Sequence, residues 1–321
     1  MPRLISASRL LRTCAGLALL PLTLLSVILI HAPHDTRAQR RGAQAGSPSR
    51  GAARTITVKT EPKAAVWIDE LRRGTTDDAG QLTVKNVTAG AHRLRVRARG
   101  FGERTLPLAA TQRGTIQVRL VPTTDEAELL FQQAEEAAEK GGEGRQQALD
   151  LYRRAIKLRP RFPSARLGLA RTLTAADQFD DALAEIAAAR RDRPSFAEAS
   201  AVEGRILREL AEYEEALTAF RRAVREGRGT QPEAHTGMGL VHVDQGNHEL
   251  AVESFRKAIA QLQDTEPALY QLLGASYEKL ERWKDAVAAY EKYLELAPDG
   301  KLAPAIRSII DQLRVQAAEQ Q

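Results

Sequence analysis

Three arginines, Arg93, Arg95 and Arg97, alternate with His92, Leu94 and Val96, and this is the strongest candidate for polar chemistry in the chain. A period of two puts all three guanidiniums on one face of a strand. Guanidinium pairs bidentately with carboxylate and phosphate, so such a face suits an anion: a lipid phosphate, a wall polymer or an acidic protein. The same pattern also describes a solvated strand whose charges protect a sheet edge. Three histidines, His235, His242 and His248, form the other cluster. His235 and His242 are seven apart and share a helix face. Tyr270 and Tyr277 hold the same two places one period later, and His248 stands where Tyr213 and Trp283 recur. These histidines therefore read as ring substitutes in packing positions, and no ligand set for a metal is expected. No nucleophile–base pair, phosphate loop or zinc-protease motif occurs, so neither an enzyme nor a cofactor is expected.

The elements that carry these residues follow from two periodicities. From Arg54 to Pro122 the period is two. Ile56 and Val58, Val66 and Ile68, Leu82 and Val84, Leu94 and Val96, and Ile116, Val118 and Leu120 alternate with polar neighbours. That pattern predicts five to seven short strands forming a small sandwich or barrel-like sheet. Turns are expected at Gly74, Asp78-Ala79-Gly80, Gly90, Gly100 and Gly114.

From residue 123 onward the pattern is helical. Ala148, Ala182, Ala216, Ala251 and Ala286 recur at intervals of 34, 34, 35 and 35 residues. Four residues after each comes Tyr152, Ile186, Phe220, Phe255 or Tyr290. Such a period marks stacked helix pairs. A second register of small residues, Ala170, Gly204, Gly239 and Gly274, lies in the first helices of the second to fifth pairs, where two helices must cross closely. Phe179, Tyr213, His248 and Trp283 would plug the elbows. Thr123 and Glu126 have capping-box spacing for the first helix. Residues 301–316 read as a terminal helix covering the open apolar end with Ile306, Ile309, Ile310 and Leu313.

These spacings resemble the tetratricopeptide repeat family, with units at about 126–160, 163–196, 197–230, 232–265 and 267–300. The resemblance implies an α-helical solenoid and a concave groove that binds a partner protein. By register Arg171, Arg205 and Arg208 should line that groove, followed by Leu240 and Val243. The β stretch, 54–122, resembles the PEGA family of bacterial envelope proteins through Pro62-Lys63-Ala64-Ala65-Val66-Trp67-Ile68-Asp69, Gly74-Thr75-Thr76, Ala89-Gly90-Ala91-His92 and Gly100-Phe101. That family brings no catalytic residues with it. The fold class expected is thus α+β and multidomain.

Arg3, Arg9 and Arg12 precede an apolar run from Ala15 to Ile30. This reads as an export signal, cleaved after Ala38 or retained as an inner-membrane anchor over residues 13–32. Residues 39–53 read as a flexible linker. The single cysteine, Cys14, lies in the leader, which excludes a disulfide framework or thiolate zinc site downstream. Net charge is +6, divided as +3 over residues 1–38, +10 over 39–122 and −7 over 123–321. Export argues against nucleic acid despite the basic balance. The expectation is a non-enzymatic scaffold of the periplasm or cell envelope. Its alternative is a surface-binding protein whose arginine strand grips wall polymer or anionic lipid, and repeat self-association is a further option.

Overall fold

The computed structural model describes residues 53–263 and 265–319. The leader and nearly all of the linker lie outside them. Seven strands come first: β1 (Arg54–Lys59), β2 (Ala65–Ile68), β3 (Leu71–Thr75), β4 (Gln81–Val87), β5 (His92–Arg97), β6 (Arg104–Leu108) and β7 (Gly114–Gln117). They form a three-stranded sheet in the order β4-β1-β7 and a four-stranded sheet in the order β3-β2-β5-β6. The alternating apolar residues of both sheets, including Ile56, Val58, Val66, Leu94 and Val96, meet in one core and are buried. The β region is therefore a sandwich.

Gly80 closes the turn into β4 at φ +72°, and a side chain there would collide with the carbonyl of Thr60. Gly74 is not a turn. It lies inside β3 at φ +141°, where the pairing with β2 slips by one residue. A glycine inside a strand commonly marks such a bulge. Strand β7 ends at Gln117, although Val118 and Leu120 remain buried.

Eleven helices follow among the described residues. They are α1 (Glu126–Glu139), α2 (Arg145–Leu158), α3 (Pro163–Thr174), α4 (Phe179–Asp192), α5 (Ala197–Glu209), α6 (Tyr213–Glu226), α7 (Pro232–Asp244), α8 (His248–Leu262), α9 (Pro267–Lys279), α10 (Trp283–Leu296) and α11 (Ala303–Glu319). The first ten pair in sequence order, and each pair stacks on the next. Asp125 caps α1, accepting from the backbone N–H of Ala127 and Glu128. Thr123 instead accepts from the N–H of Asp125 at 3.2 Å, so Asp125 takes the capping role expected of Thr123. Helix α11 buries Ile306, Ile310 and Leu313 and closes the C-terminal core.

The alanine ladder is fully buried, and the residues four positions later are exposed by 3% or less. The small-residue register explains the fit. A Cβ on Gly204, Gly239 or Gly274 would come 2.7, 2.4 or 2.6 Å from the ring of Phe220, Phe255 or Tyr290 respectively. Each glycine thus leaves the space its own partner helix fills with an aromatic ring. In the second unit Ala170 and Ile186 hold the two registers, a larger residue opposite a slimmer one.

Four elbows are built alike. Asp177, Ala211, Gly246 and Glu281 take left-handed φ of 57°, 59°, 75° and 56°. The next N–H in each, from Gln178, Glu212, Asn247 or Arg282, donates to the carbonyl five residues back at 2.8–3.0 Å. This is the Schellman arrangement that ends a helix while satisfying its last carbonyls. The ring residues Phe179, Tyr213, His248 and Trp283 then start the second helices, half-buried against the elbow. The first pair differs: a 3₁₀ turn at Gly141–Glu143 replaces that elbow.

Candidate partner groove

The first helices of successive units touch directly, α3 on α5 and α5 on α7, so they line the inner side of the stack. There the charged residues are arranged across units. Glu233 of α7 lies 3.7 Å from Arg171 of α3 and 3.5 Å from Arg205 of α5. Arg208 of α5 pairs with Asp244 of α7 at 2.7 Å. Arg171 and Arg205 remain more than two-fifths exposed, so these pairs add little to stability.

A cleft of 470 Å³ opens on this face. Leu240, Leu269 and Leu272 supply apolar walls, and Arg205, Arg208 and Glu233 supply charge. Three of the residues expected from register, Arg205, Arg208 and Leu240, therefore share one cavity. Arg171 lines a neighbouring cleft of 330 Å³ with Tyr152 and Gly168. Val243 packs half-buried against the C-terminal core instead.

One wall of the larger cleft comes from the β sandwich. Leu71, at the start of β3, lines it. The same hairpin also reaches the solenoid through Arg73 and Glu70, and β4 reaches it through Asn86. Arg73 donates to the side-chain carbonyl of Gln263 at 3.4 Å, and Gln263 donates to the carbonyl of Asn86. The carboxyl of Glu70 shares a hydrogen bond with that of Glu198, the second residue of α5. Burial and then the Glu70 charge push the Glu198 carboxyl up to about 7. A second junction lies on α1. Gln132, 5% exposed, accepts from the N–H of Gly100 at 2.9 Å and donates to the carbonyl of Phe101 at 2.8 Å.

The arginine strand departs from both expectations. Strand β5 lies between β2 and β6, so it is not an edge. Arg95 pairs with Glu70 at 2.8 Å and lies 4.4 Å over the Trp67 ring. Arg97 pairs with Glu103 at 2.8 Å and Glu135 at 3.3 Å, and stacks 4.6 Å from the Phe131 ring. Their side chains are 16% and 11% exposed, which leaves them engaged inside the protein. Only Arg93 of the three stands exposed. The sequence showed the guanidiniums but not the carboxylates, which arrive from β-turns and from α1.

His235 is buried on α7, and burial together with Lys257 holds its ring below the usual histidine range. The Nδ1 atoms of His235, His242 and His248 are buried without a hydrogen-bond partner. No group of three metal-capable side chains occurs among the described residues.

A tetratricopeptide repeat family model matches residues 145–206, and a second matches 230–299. The matched stretches of the helical array are tetratricopeptide repeats. Proteins of this repeat class generally act as interaction scaffolds. No curated protein matches the chain. Among solved structures, the tetratricopeptide protein TTC0263 of Thermus thermophilus is 23% identical, over 59% of this chain and 99% of its own, with a TM-score of 0.49. The pilF protein of Pseudomonas aeruginosa is 18% identical over 61% of this chain and 92% of its own, with a TM-score of 0.51. The Cut9–Hcn1 assembly of the APC/C is 16% identical over 60% of this chain and 37% of its own, also at 0.51. At these identities the likeness to the last two is one of fold.

Proposed function

We propose that this chain is a non-enzymatic interaction scaffold of a bacterial cell envelope, and that the cleft between α5, α7 and α9 holds a partner protein. The carrying observation is the 470 Å³ cleft itself: apolar walls, a charged rim and a position on the inner face of the stack. Cavities of about 300–1,000 Å³ with apolar walls and a few polar groups are where ligands are usually held. The envelope assignment is supported by the basic and apolar leader and by the PEGA-like sequence of the sandwich. The alternative, in which the arginine strand grips wall polymer or lipid, loses its main support because Arg95 and Arg97 are already paired and shielded.

Affinity capture from an envelope extract tests the groove. Leu240→Asp with Leu272→Asp should remove captured protein that the unaltered chain and an outer-face Arg225→Glu control both retain. Capture that survives the groove substitutions refutes the assignment.

A further inference from the structure

The tip of the β2–β3 hairpin is Asp69-Glu70, and both residues are left-handed, at φ 51° and 66°. Two-residue hairpins of this kind normally use Asn-Gly or Asp-Gly, because a side chain is disfavoured at both positions. Asp69 is held in place within the sandwich. Its carboxylate meets the His92 ring at 2.5 Å and accepts from the Arg93 N–H at 2.8 Å. Glycine at position 70 would relieve the turn, yet a glutamate stands there. Its carboxylate is used outside the turn, bridging Arg95 of the sandwich and Glu198 of the solenoid. Leu71 follows at once and lines the groove cleft. The hairpin tip is therefore shaped toward the groove rather than toward its own turn geometry.

The cleft exceeds what Leu71 fills. Leu240, Leu269 and Leu272 still present apolar surface to its open volume. Its rim carries both signs, Arg205 and Arg208 against Glu209 and Glu266. The hairpin brings Glu70 before the leucine, while Arg72 after it pairs with Glu139 of α1 at 3.2 Å.

We propose that the cleft between α5, α7 and α9 takes a leucine-bearing segment of a partner protein, of the acidic–leucine type that Glu70 and Leu71 exemplify, and that the β2–β3 hairpin is its built-in competitor. This rests on the groove being the partner site. An incoming segment of that type replaces the hairpin contacts with the solenoid at this end of the cleft: a leucine for Leu71 and a carboxyl for Glu70. Binding is then weakened by the fraction of time the hairpin is seated; a groove covered nine-tenths of the time binds about tenfold more weakly than an open one.

The test uses the whole chain and a fluorescein-labelled peptide with the sequence of residues 66–76, followed by anisotropy. Leu71→Asp should unseat the hairpin and tighten peptide binding about tenfold. Adding Leu272→Asp should abolish the gain. Leu71→Ala, which keeps the strand apolar, gives a smaller gain in the same direction and serves if the aspartate variant fails to fold. No tightening in either Leu71 variant overturns the proposal, as does tightening that Leu272→Asp leaves intact. If the peptide stays unbound while groove-dependent capture persists, the hairpin's mimicry fails and the groove reading stands. Loss of both removes the groove itself.

Discussion

Replacing Gly239 by alanine tests the contact on which the stack depends. A methyl at this position falls 2.4 Å from Cε1 of Phe255. That is more than ~1 Å inside ordinary apolar contact, about 4 Å. Two effects oppose each other. Alanine is favoured over glycine in a helix by ~0.8–1.0 kcal/mol. Overpacking a close-packed core costs about 1–3 kcal/mol. The second should win, because Phe255 is fully buried and its neighbours Ala251 and Ala258 are too, which leaves the ring no direction of retreat. A net loss of about 1 kcal/mol is expected, the difference of those two ranges.

The second unit supplies the control, since Ala170 and Ile186 already pair an alanine with an aliphatic side chain. Phe255→Ile alone removes ring volume and should cost about 1–3 kcal/mol. The double substitution fills that volume with the new methyl. It should therefore be less destabilising than the two singles summed, by at least ~1 kcal/mol, within the range seen for residues in contact. Repeat arrays can unfold in parts, so amide hydrogen exchange on α7 and α8 is the right assay. Additivity within about 0.5 kcal/mol would show that ring and methyl do not compete, and the packing argument would fall.

Ala211 sits left-handed at an elbow where the next unit has Gly246. The conformation costs a non-glycine residue ~1–2 kcal/mol, against ~0.4–1 kcal/mol of extra unfolded-state entropy for glycine, so Ala211→Gly should stabilise α5–α6 by about 0.5–1 kcal/mol; a lower thermal midpoint would contradict this. The Glu70–Glu198 contact should weaken as pH rises. Glu198 in the folded chain, at about 7, lies above its ordinary 4.5, so its contribution is complete below pH 4.5 and is lost through about 7. The charges facing it are Glu70 and Arg193, with Arg95 reaching Glu70. Exchange at β2, β3 and the start of α5, corrected for intrinsic rates, should accelerate across that window and flatten in Glu198→Gln; the same acceleration in that variant would place the titration elsewhere.

The ladders were legible because spacing alone encodes them: an alanine every 34 or 35 residues and a large apolar side chain four later need no third dimension. The elbows were only half legible. The rings at 179, 213, 248 and 283 marked their exits, but the left-handed residue two places earlier is Asp, Ala, Gly or Glu, and only the glycine announces itself. Strand β3 was hidden, since Leu71-Arg72-Arg73-Gly74-Thr75 has no alternation and its glycine reads as a turn. The groove arginines came from helical register, but Glu233 between Arg171 and Arg205 did not, because the three belong to different helices. Least visible was the seat of the hairpin, whose bond from Arg73 to Gln263 spans 190 residues of chain.

The charge imbalance shows why composition pointed outward while the fold turns inward. A region of +10 followed by one of −7 invites the search for an external anion. In the folded chain the two regions answer each other on α1, where Arg97, Arg99 and Arg72 face Glu135, Glu136 and Glu139. Magnitude separates these pairs. Arg99–Glu136 and Arg72–Glu139 are exposed on both partners, and such pairs contribute about 0–1 kcal/mol and fade with salt. Arg97 differs because it is shielded, held by two carboxylates and stacked on Phe131. Removing it takes the nearer guanidinium from Glu103 and the paired cation from Glu135, which keeps the Tyr152 hydroxyl, as well as losing the ring contact. The same is true of Gln132, whose amide satisfies both a donor and an acceptor of the sandwich. The junction is thus fixed by two shielded residues rather than by bulk attraction. Salt should leave the sandwich docked on α1.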